Sequence, residues 1–319
     1  MREHELASAL SLSLALEAAA YPKPGNVHRA SDLPGMSFEE FLAASAVSVH
    51  FFELAARRGA RGRSGRVVFA DLLHSLVAAL MRAGAGNVCL GSCLLLFPLA
   101  VGGGSCIPRV SAECAVEGAA RALREATPLD TAHFYASVRL AAPSYLGRQD
   151  YTGPYPNVWD RNYWSKIVRG GIRLWDVLEF SAGRDLVARE LVRGYELSRR
   201  ASAKIAGRLA EHGNWNRAVV EAYVWLLSEA EDTLVARKLG RGAASKIRER
   251  ASRVLEEVLS RGEDWMGPVM QLDSELRGMG ANPGSAADIV AAAIALTLID
   301  SSGADGLRLP FSQGKRSSS

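Results

Sequence analysis

Apolar residues in this chain recur every three to four positions, and nowhere do they alternate with polar ones over a useful length. That spacing buries one stripe of a helix, whereas a half-buried strand needs a period of two. Ile247, Ala251, Val254, Leu255 and Val258 follow the helical spacing. Val187, Leu191, Gly194, Tyr195, Ser198, Ala201 and Ile205 repeat it and predict one long helix over about 184–212. Val220, Tyr223, Val224 and Leu227 mark another. Ser37-Phe38-Glu39-Glu40 reads as a capping box. It opens a helix whose expected buried face is Phe38, Phe41, Leu42, Ser45, Val49 and Phe52. The expectation is an all-α fold, a single compact multi-helix domain over 1–310. A polar tail at 311–319 is expected to lack fixed structure.

Composition narrows the class further. Hydrophobic residues make up 48% and charged residues 23%, which excludes a disordered chain, collagen and a disulfide mini-scaffold. The net charge of +4 suits anionic ligands but gives no argument for nucleic acid. The run 88–101 is the most apolar that the sequence offers by eye. It is interrupted by Gly91, Ser92 and Pro98 and is shorter than the roughly 20 residues of a membrane span, so no membrane is expected. Glu3 and Glu5 replace the basic start of a signal peptide, and a cytoplasmic protein is expected. Cys89, Cys93, Cys106 and Cys114 form no C-x-x-C pair and have no nearby His. That argues against zinc and predicts buried free thiols.

Four loops carry candidate chemistry, each beside a plain structural reading. In 21–29 two prolines stiffen an extended segment that offers Lys23, His28 and Arg29 to a polyphosphate, or serves as a charged connector. In 282–288 Ser285 and Asp288 suit either the N-cap and its partner, or a phosphate or metal site at a helix start. In 85–91 Asn87 and Gly91 precede an apolar helix, and tight helix packing is the plainer reading. In 232–240 Asp232 either caps a short helix or joins Arg237 and Lys238 in a metal–phosphate site. The stretch 57–66 carries five arginines among glycines and reads as a solvated loop. The stretch 143–164 is irregular and rich in aromatics, Pro and Gly. His50, His74 and His133 fall in helical segments and read as structural.

Taken together and in order, these segments resemble the triphosphoribosyl-dephospho-CoA synthase family, in particular its archaeal branch. The resemblance rests on PKPGNVHR (22–29), FEEFLAASA (38–46), GNVCLGSCLLLFPLA (86–100), DLVAREL (185–191), DTLVARKLG (232–240) and NPGSAAD (282–288). It implies transfer of the triphosphoribosyl group of ATP to the 2′-hydroxyl of dephospho-CoA, with loss of adenine and one inversion at ribose C1. Mg2+ is expected with the ATP, held by one or two carboxylates and phosphate oxygens. Carried onto matching positions, Lys23, Arg29, Arg237 and Lys238 are the expected phosphate contacts. Asp232 and Asp288 are the expected metal ligands or catalytic base, and His28 a further acid–base group. Asn87, Asn282 and Ser285 would orient the substrates, and Gly25, Gly91 and Gly284 would allow close approach.

Departures from the bacterial pattern are also visible. His28 stands where those members have Asp, and Asp32 is the nearest acid. Asn87-Val88-Cys89 replaces a more polar NTN-type segment, and Asp150 is the nearest acid after Leu146-Gly147. Two other readings stay open: a nucleotide-processing enzyme with a different acceptor, and a helical nucleotide-binding protein without catalysis. The oligomeric state is left open.

Overall fold

A helix that is apolar around its whole circumference is stable in water only when other elements cover every side of it. The segment 284–301 is such a helix, and the fold is built around it. The structure, a computed structural model, describes residues 1–62, 66–143, 153–260, 264–302 and 306–311. Among these, the first eight helices are α1 (Glu3–Ala19), α2 (Phe38–Ala60), α3 (Ala70–Arg82), α4 (Leu90–Gly104), α5 (Ala112–Glu125), α6 (Pro128–Ala141), α7 (Tyr163–Arg169) and α8 (Leu174–Ser181). They are followed by α9 (Leu186–Val192), α10 (Glu196–His212), α11 (Trp215–Glu229), α12 (Thr233–Leu239), α13 (Arg241–Ser260), α14 (Met266–Gly278) and α15 (Gly284–Ser301). Isolated bridges, among them His28 with Ser31 and Leu33 with Met36, are the β-pairing seen, and no sheet forms among the described residues. The all-α expectation holds. Leu146, Gly147, Asp150, residues 63–65 and the tail at 312–319 lie outside the described residues.

Every residue of α15 from Ser285 to Ile299 except Asp288 is buried. Helices α1, α4, α10 and α11 pack along it, and α9 and α12 also touch it. Its mean hydropathy of 1.5 over 18 residues makes it long and apolar enough, by length and composition, to cross a membrane. From sequence, 88–101 is the most apolar run and the helix ending near Asp300 is expected but not weighed as a span; in the fold its apolar surface is covered by its neighbours.

Four other expectations are corrected. The helix predicted over 184–212 is two helices, α9 and α10. Gly194 and Tyr195 between them have φ of +68° and +60°, and the Glu190 carboxylate accepts from the amides of Leu197 and Ser198 at 3.1 and 2.6 Å. That carboxylate caps α10 from the end of α9, and the apolar period runs on across the break. In α2 the capping box forms as expected, but Leu42 is exposed, and the buried face is Ala44, Ser45, Ser48, Phe52, Ala55, Ala56 and Gly59. Arg57 to Ala60 belong to α2 rather than to a loop. Arg57 pairs with Glu53 one turn back, and Arg58 bonds both oxygens of Asp71 at 2.6 and 2.7 Å. Finally, Cys106 and Cys114 form a disulfide across 6.3 Å between Cα atoms, so only Cys89 and Cys93 are buried thiols.

The C-terminal end of α4 is held at backbone distance from two neighbours. A Cβ on Gly102 would lie 2.3 Å from the Ala115 carbonyl of α5, and one on Gly104 would lie 2.1 Å from the Ala56 carbonyl of α2. Backbone cannot give way as a flexible side chain can. Gly102→Ala is therefore expected to destabilise the fold by about 1–3 kcal/mol or more. Urea unfolding of the variant beside the wild type measures it, and an unchanged midpoint would count against the close approach.

Candidate active site

Loop 22–28 is buried along its length and works as a brace. The Gly25 amide donates to Asp273 Oδ1 at 2.8 Å, and Tyr223 donates its hydroxyl proton to the Pro24 carbonyl at 3.0 Å. Gly25 has φ of +73°, and a Cβ there would touch Ala281, Leu276 and Pro283 at 3.0 Å. Its close approach is to the chain's own 281–283 turn, not to a ligand. Lys23 is fully buried and pairs with the Glu17 carboxylate, with a second bond to the Glu17 carbonyl at 3.1 Å. Burial pushes the Lys23 ammonium down and the Glu17 carboxyl up, and each charge resists the other's shift. A cation withdrawn this far from water needs such a partner, so Lys23 is not presented as a phosphate contact. His28 is also buried, 3.3 Å from Asp273, and is not among the residues facing the cavity described below. Arg29 is exposed and lies over the Tyr21 ring at 5.7 Å. Three of the expected contacts thus belong to the brace or to the outer surface.

Asp232 is likewise a structural residue. One oxygen accepts from the Leu234 and Val235 amides at 2.8 and 3.1 Å and caps α12. The other accepts from the Ala286 amide at 2.8 Å, in the first turn of α15. A single buried carboxylate therefore ties two helix starts together, and that α15 amide is taken by protein. The capping reading for 282–288 fails in its stated form: Pro283 precedes the first helical residue, and no side chain from the loop caps α15. Ser285 instead faces the Thr233 hydroxyl at 3.2 Å. Asn26 donates to Asn282 Oδ1 at 2.8 Å. Loops 22–29, 232–240 and 282–288 meet at this junction, where the Asp288 charge acts on Lys23, but they do not share one pocket, since no residue of 22–29 lines the cavity described next.

Beside this junction lies a cavity of about 720 Å³, within the range of small-molecule sites. Its polar wall comes from the starts of α4 and α15, from α12 and from the turn before α9. Asn87, Gly91, Asn282, Ser285, Asp288, Arg237 and Lys238 line it, as does Asp185 with Arg184 beside it. The facing wall is apolar, with Phe134 and Tyr135 on α6, Val177 and Phe180 on α8, and Pro156 and Val158 between. Sequence reasoning missed Arg184 and Asp185, though 185–191 was one of the matched segments. The aromatic wall was missed as well, because the positions come from elements far apart in sequence.

Asp288 is the carboxylate in the wall between α4 and α15. Ser92 donates to its Oδ1 at 2.5 Å. Gly91 lies so close that a Cβ there would stand 2.0 Å from the other oxygen. Burial pushes the Asp288 carboxyl up to about 8. The Ser92 bond opposes this, and the charges of Glu17 and Asp232 add to it. Asp185 caps α9 through the Ala188 amide at 3.0 Å and meets Arg237 at 3.1 Å. A Cβ on Gly284 would lie 2.8 Å from the Leu234 side chain, so its missing side chain again serves protein packing. Among the described residues no three acidic, His or Cys side chains form a metal cage. Asp232 does not fit a metal ligand, since both its oxygens are bonded to amides and buried. A single cavity carboxylate beside a phosphate does fit Mg2+, which keeps few protein ligands.

Two outcomes follow. Asp232→Ala should cost about 2 kcal/mol, the loss of caps on two helices, read as a lowered urea midpoint. Asp288 binds its proton far more tightly folded than unfolded, where a carboxyl titrates near 3.8. Its contribution is therefore full below about pH 4 and fades as pH rises through about 8. Asp288→Asn should flatten the fall of stability across that window and leave the variant no less stable than wild type at pH 8. Urea midpoints from pH 5 to 9 test this, and a parallel loss at every pH would contradict it.

Comparisons with known proteins place the chain in one family. Residues 3–306 match the family model CitG, ATP:dephospho-CoA triphosphoribosyl transferase. No curated protein matches the chain. A crystal structure from Archaeoglobus fulgidus, provisionally described as a triphosphoribosyl-dephospho-CoA synthase, is similar at 27% identity with a TM-score of 0.62. The similarity covers 81% of this chain and 98% of that one. With the family match running over nearly its whole length, the chain belongs to the ATP:dephospho-CoA triphosphoribosyl transferase family.

Proposed function

We propose that this protein transfers the triphosphoribosyl group of ATP to the 2′-hydroxyl of dephospho-CoA by direct displacement in the 720 Å³ cavity. The observation that carries the reading is Asp288, a cavity carboxylate with a raised pKa, on the same wall as Arg237 and Lys238. The hydroxyl oxygen bonds to ribose C1 as the bond from C1 to adenine breaks. Ionised Asp288 takes the hydroxyl proton, and adenine takes one up on leaving, so the reaction is proton-neutral. A base near neutrality is well matched to that transfer. Ser92 orients the carboxylate, and Asn87 and Asn282 supply hydrogen bonds to sugar or base. The apolar wall of Phe134, Tyr135 and Phe180 takes the adenine ring and the uncharged arm of the acceptor. Arg184, Arg237 and Lys238 hold phosphate oxygens, which must be fixed before displacement begins. Mg2+ would be held mainly by phosphate oxygens, with Asp185 joining once its outer oxygen gives up the Arg237 side chain, and it would neutralise phosphate charge.

Adenine release from ATP, with and without dephospho-CoA, tests the proposal. Release is expected only when both substrates are present. Release with ATP alone would indicate water or another acceptor, and no release at all would indicate a binding protein. In the same assay Asp288→Asn should lower kcat at least about a hundredfold. Wild-type kcat/KM should rise with pH through about 8, because the base must be ionised.

A further inference from the structure

Behind Arg184 and Arg237 lies a second cavity, of about 490 Å³. Five arginines line it: Arg184, Arg189, Arg237, Arg241 and Arg248. Two carboxylates share it, Glu229 and Glu231. Glu229 is already bonded to Arg200 at 2.6 Å, outside this group. Arg241 and Arg248 stand two turns apart on one face of α13, and among the described residues neither has an ion-pair partner. Guanidinium groups stay charged at any working pH, so their repulsion cannot be relieved by losing protons. The arrangement calls for a polyanion, and the fork of each guanidinium matches phosphate oxygens. Arg184 and Arg237 line both cavities, so the two adjoin, and the boundary between them is made by these side chains, with Arg237 bonded to the Arg184 carbonyl and to Asp185 at 3.1 Å.

We propose that this arginine cavity holds the triphosphate chain of the donor nucleotide while its ribose stays in the main cavity. The inference rests on the reading of the main cavity as the transfer site, and it assigns the end of the substrate that no reacting group touches. With Arg237 paired to Asp185 and Glu229 to Arg200, four guanidinium groups face Glu231, an excess of positive charge that suits a triphosphate better than a diphosphate diester such as the acceptor carries. The triphosphate also remains on the sugar throughout the transfer. Holding it at a fixed point lets C1 exchange adenine for the acceptor oxygen without release of the transferred group.

The test uses the double variant Arg241→Ala/Arg248→Ala, since both positions line the second cavity and neither lines the first. Calorimetric titration with inorganic triphosphate should give an affinity at least about tenfold weaker than wild type, the scale of one lost charge-assisted contact. In steady state the KM for ATP should rise by a similar factor while that for dephospho-CoA stays put. Unchanged triphosphate affinity would overturn the proposal. A rise in the dephospho-CoA KM alone would also overturn it, by assigning the cavity to the acceptor's diphosphate. Should the double variant melt early, Arg248→Lys decides: it keeps the charge and loses the fork, and it should still weaken triphosphate binding. Triphosphate binding lost in the variant of a protein that releases no adenine would support the cavity and refute only the reaction.

Discussion

Covering α15 on all sides sets the plan of the molecule. An apolar helix of five turns needs neighbours in several directions, and α1, α4, α9, α10, α11 and α12 supply them. The helix can become polar only at its ends, where the surrounding bundle opens. The cavity sits at the N-terminal end, and Asp288 is the one residue between Ser285 and Ile299 that keeps some exposure, although it is withdrawn far enough from water for its carboxyl to be shifted. Position in the bundle, more than local motif, decides which side chains reach a ligand.

Two aspartates near that end show how surroundings divide labour between like groups. Asp232 accepts three amide hydrogens, which favour its ionised form, yet burial still lifts it to about 6. Asp288 has the Ser92 hydroxyl and amide as donors and two neighbouring acids, and it stands higher. The first carboxylate is an internal anion that organises backbone; the second is poised to exchange a proton. Lys23 completes the set as a cation neutralised from within by Glu17. These groups lie close together, and the brace loop fixes their relative places.

Much of the fold was legible in the sequence because helical periodicity is a local property. The capping box at Ser37 and the face of α13 could be read directly. The break between α9 and α10 could not, since it depends on Glu190 reaching forward to cap the next helix while the apolar spacing continues unbroken. For the candidate site, the family segments led to the neighbourhood of the cavity, but several of the residues they named do not line it. Lys23, His28 and Asp232 look like ligands in sequence because charge in a loop suggests exposure. Each is buried against a partner that sequence does not reveal: Glu17, Asp273, and the amides of α12 and α15. Arg184, Asp185 and the aromatic wall went unseen because they meet only through tertiary packing.

Gly91 adds a consequence for how such a protein can change over generations. With no side chain there, the Asp288 carboxylate occupies the space that a Cβ would fill. The seam between α4 and α15 therefore has no slack, and substitutions that enlarge it would push the carboxylate aside. The opposite wall consists of ordinary apolar side chains on α6 and α8, where size can vary one methylene at a time. Drift in substrate preference is thus channelled to one side of the cavity. Changes of side-chain size on that wall would alter which molecules fit the cavity while leaving the carboxylate seam in place.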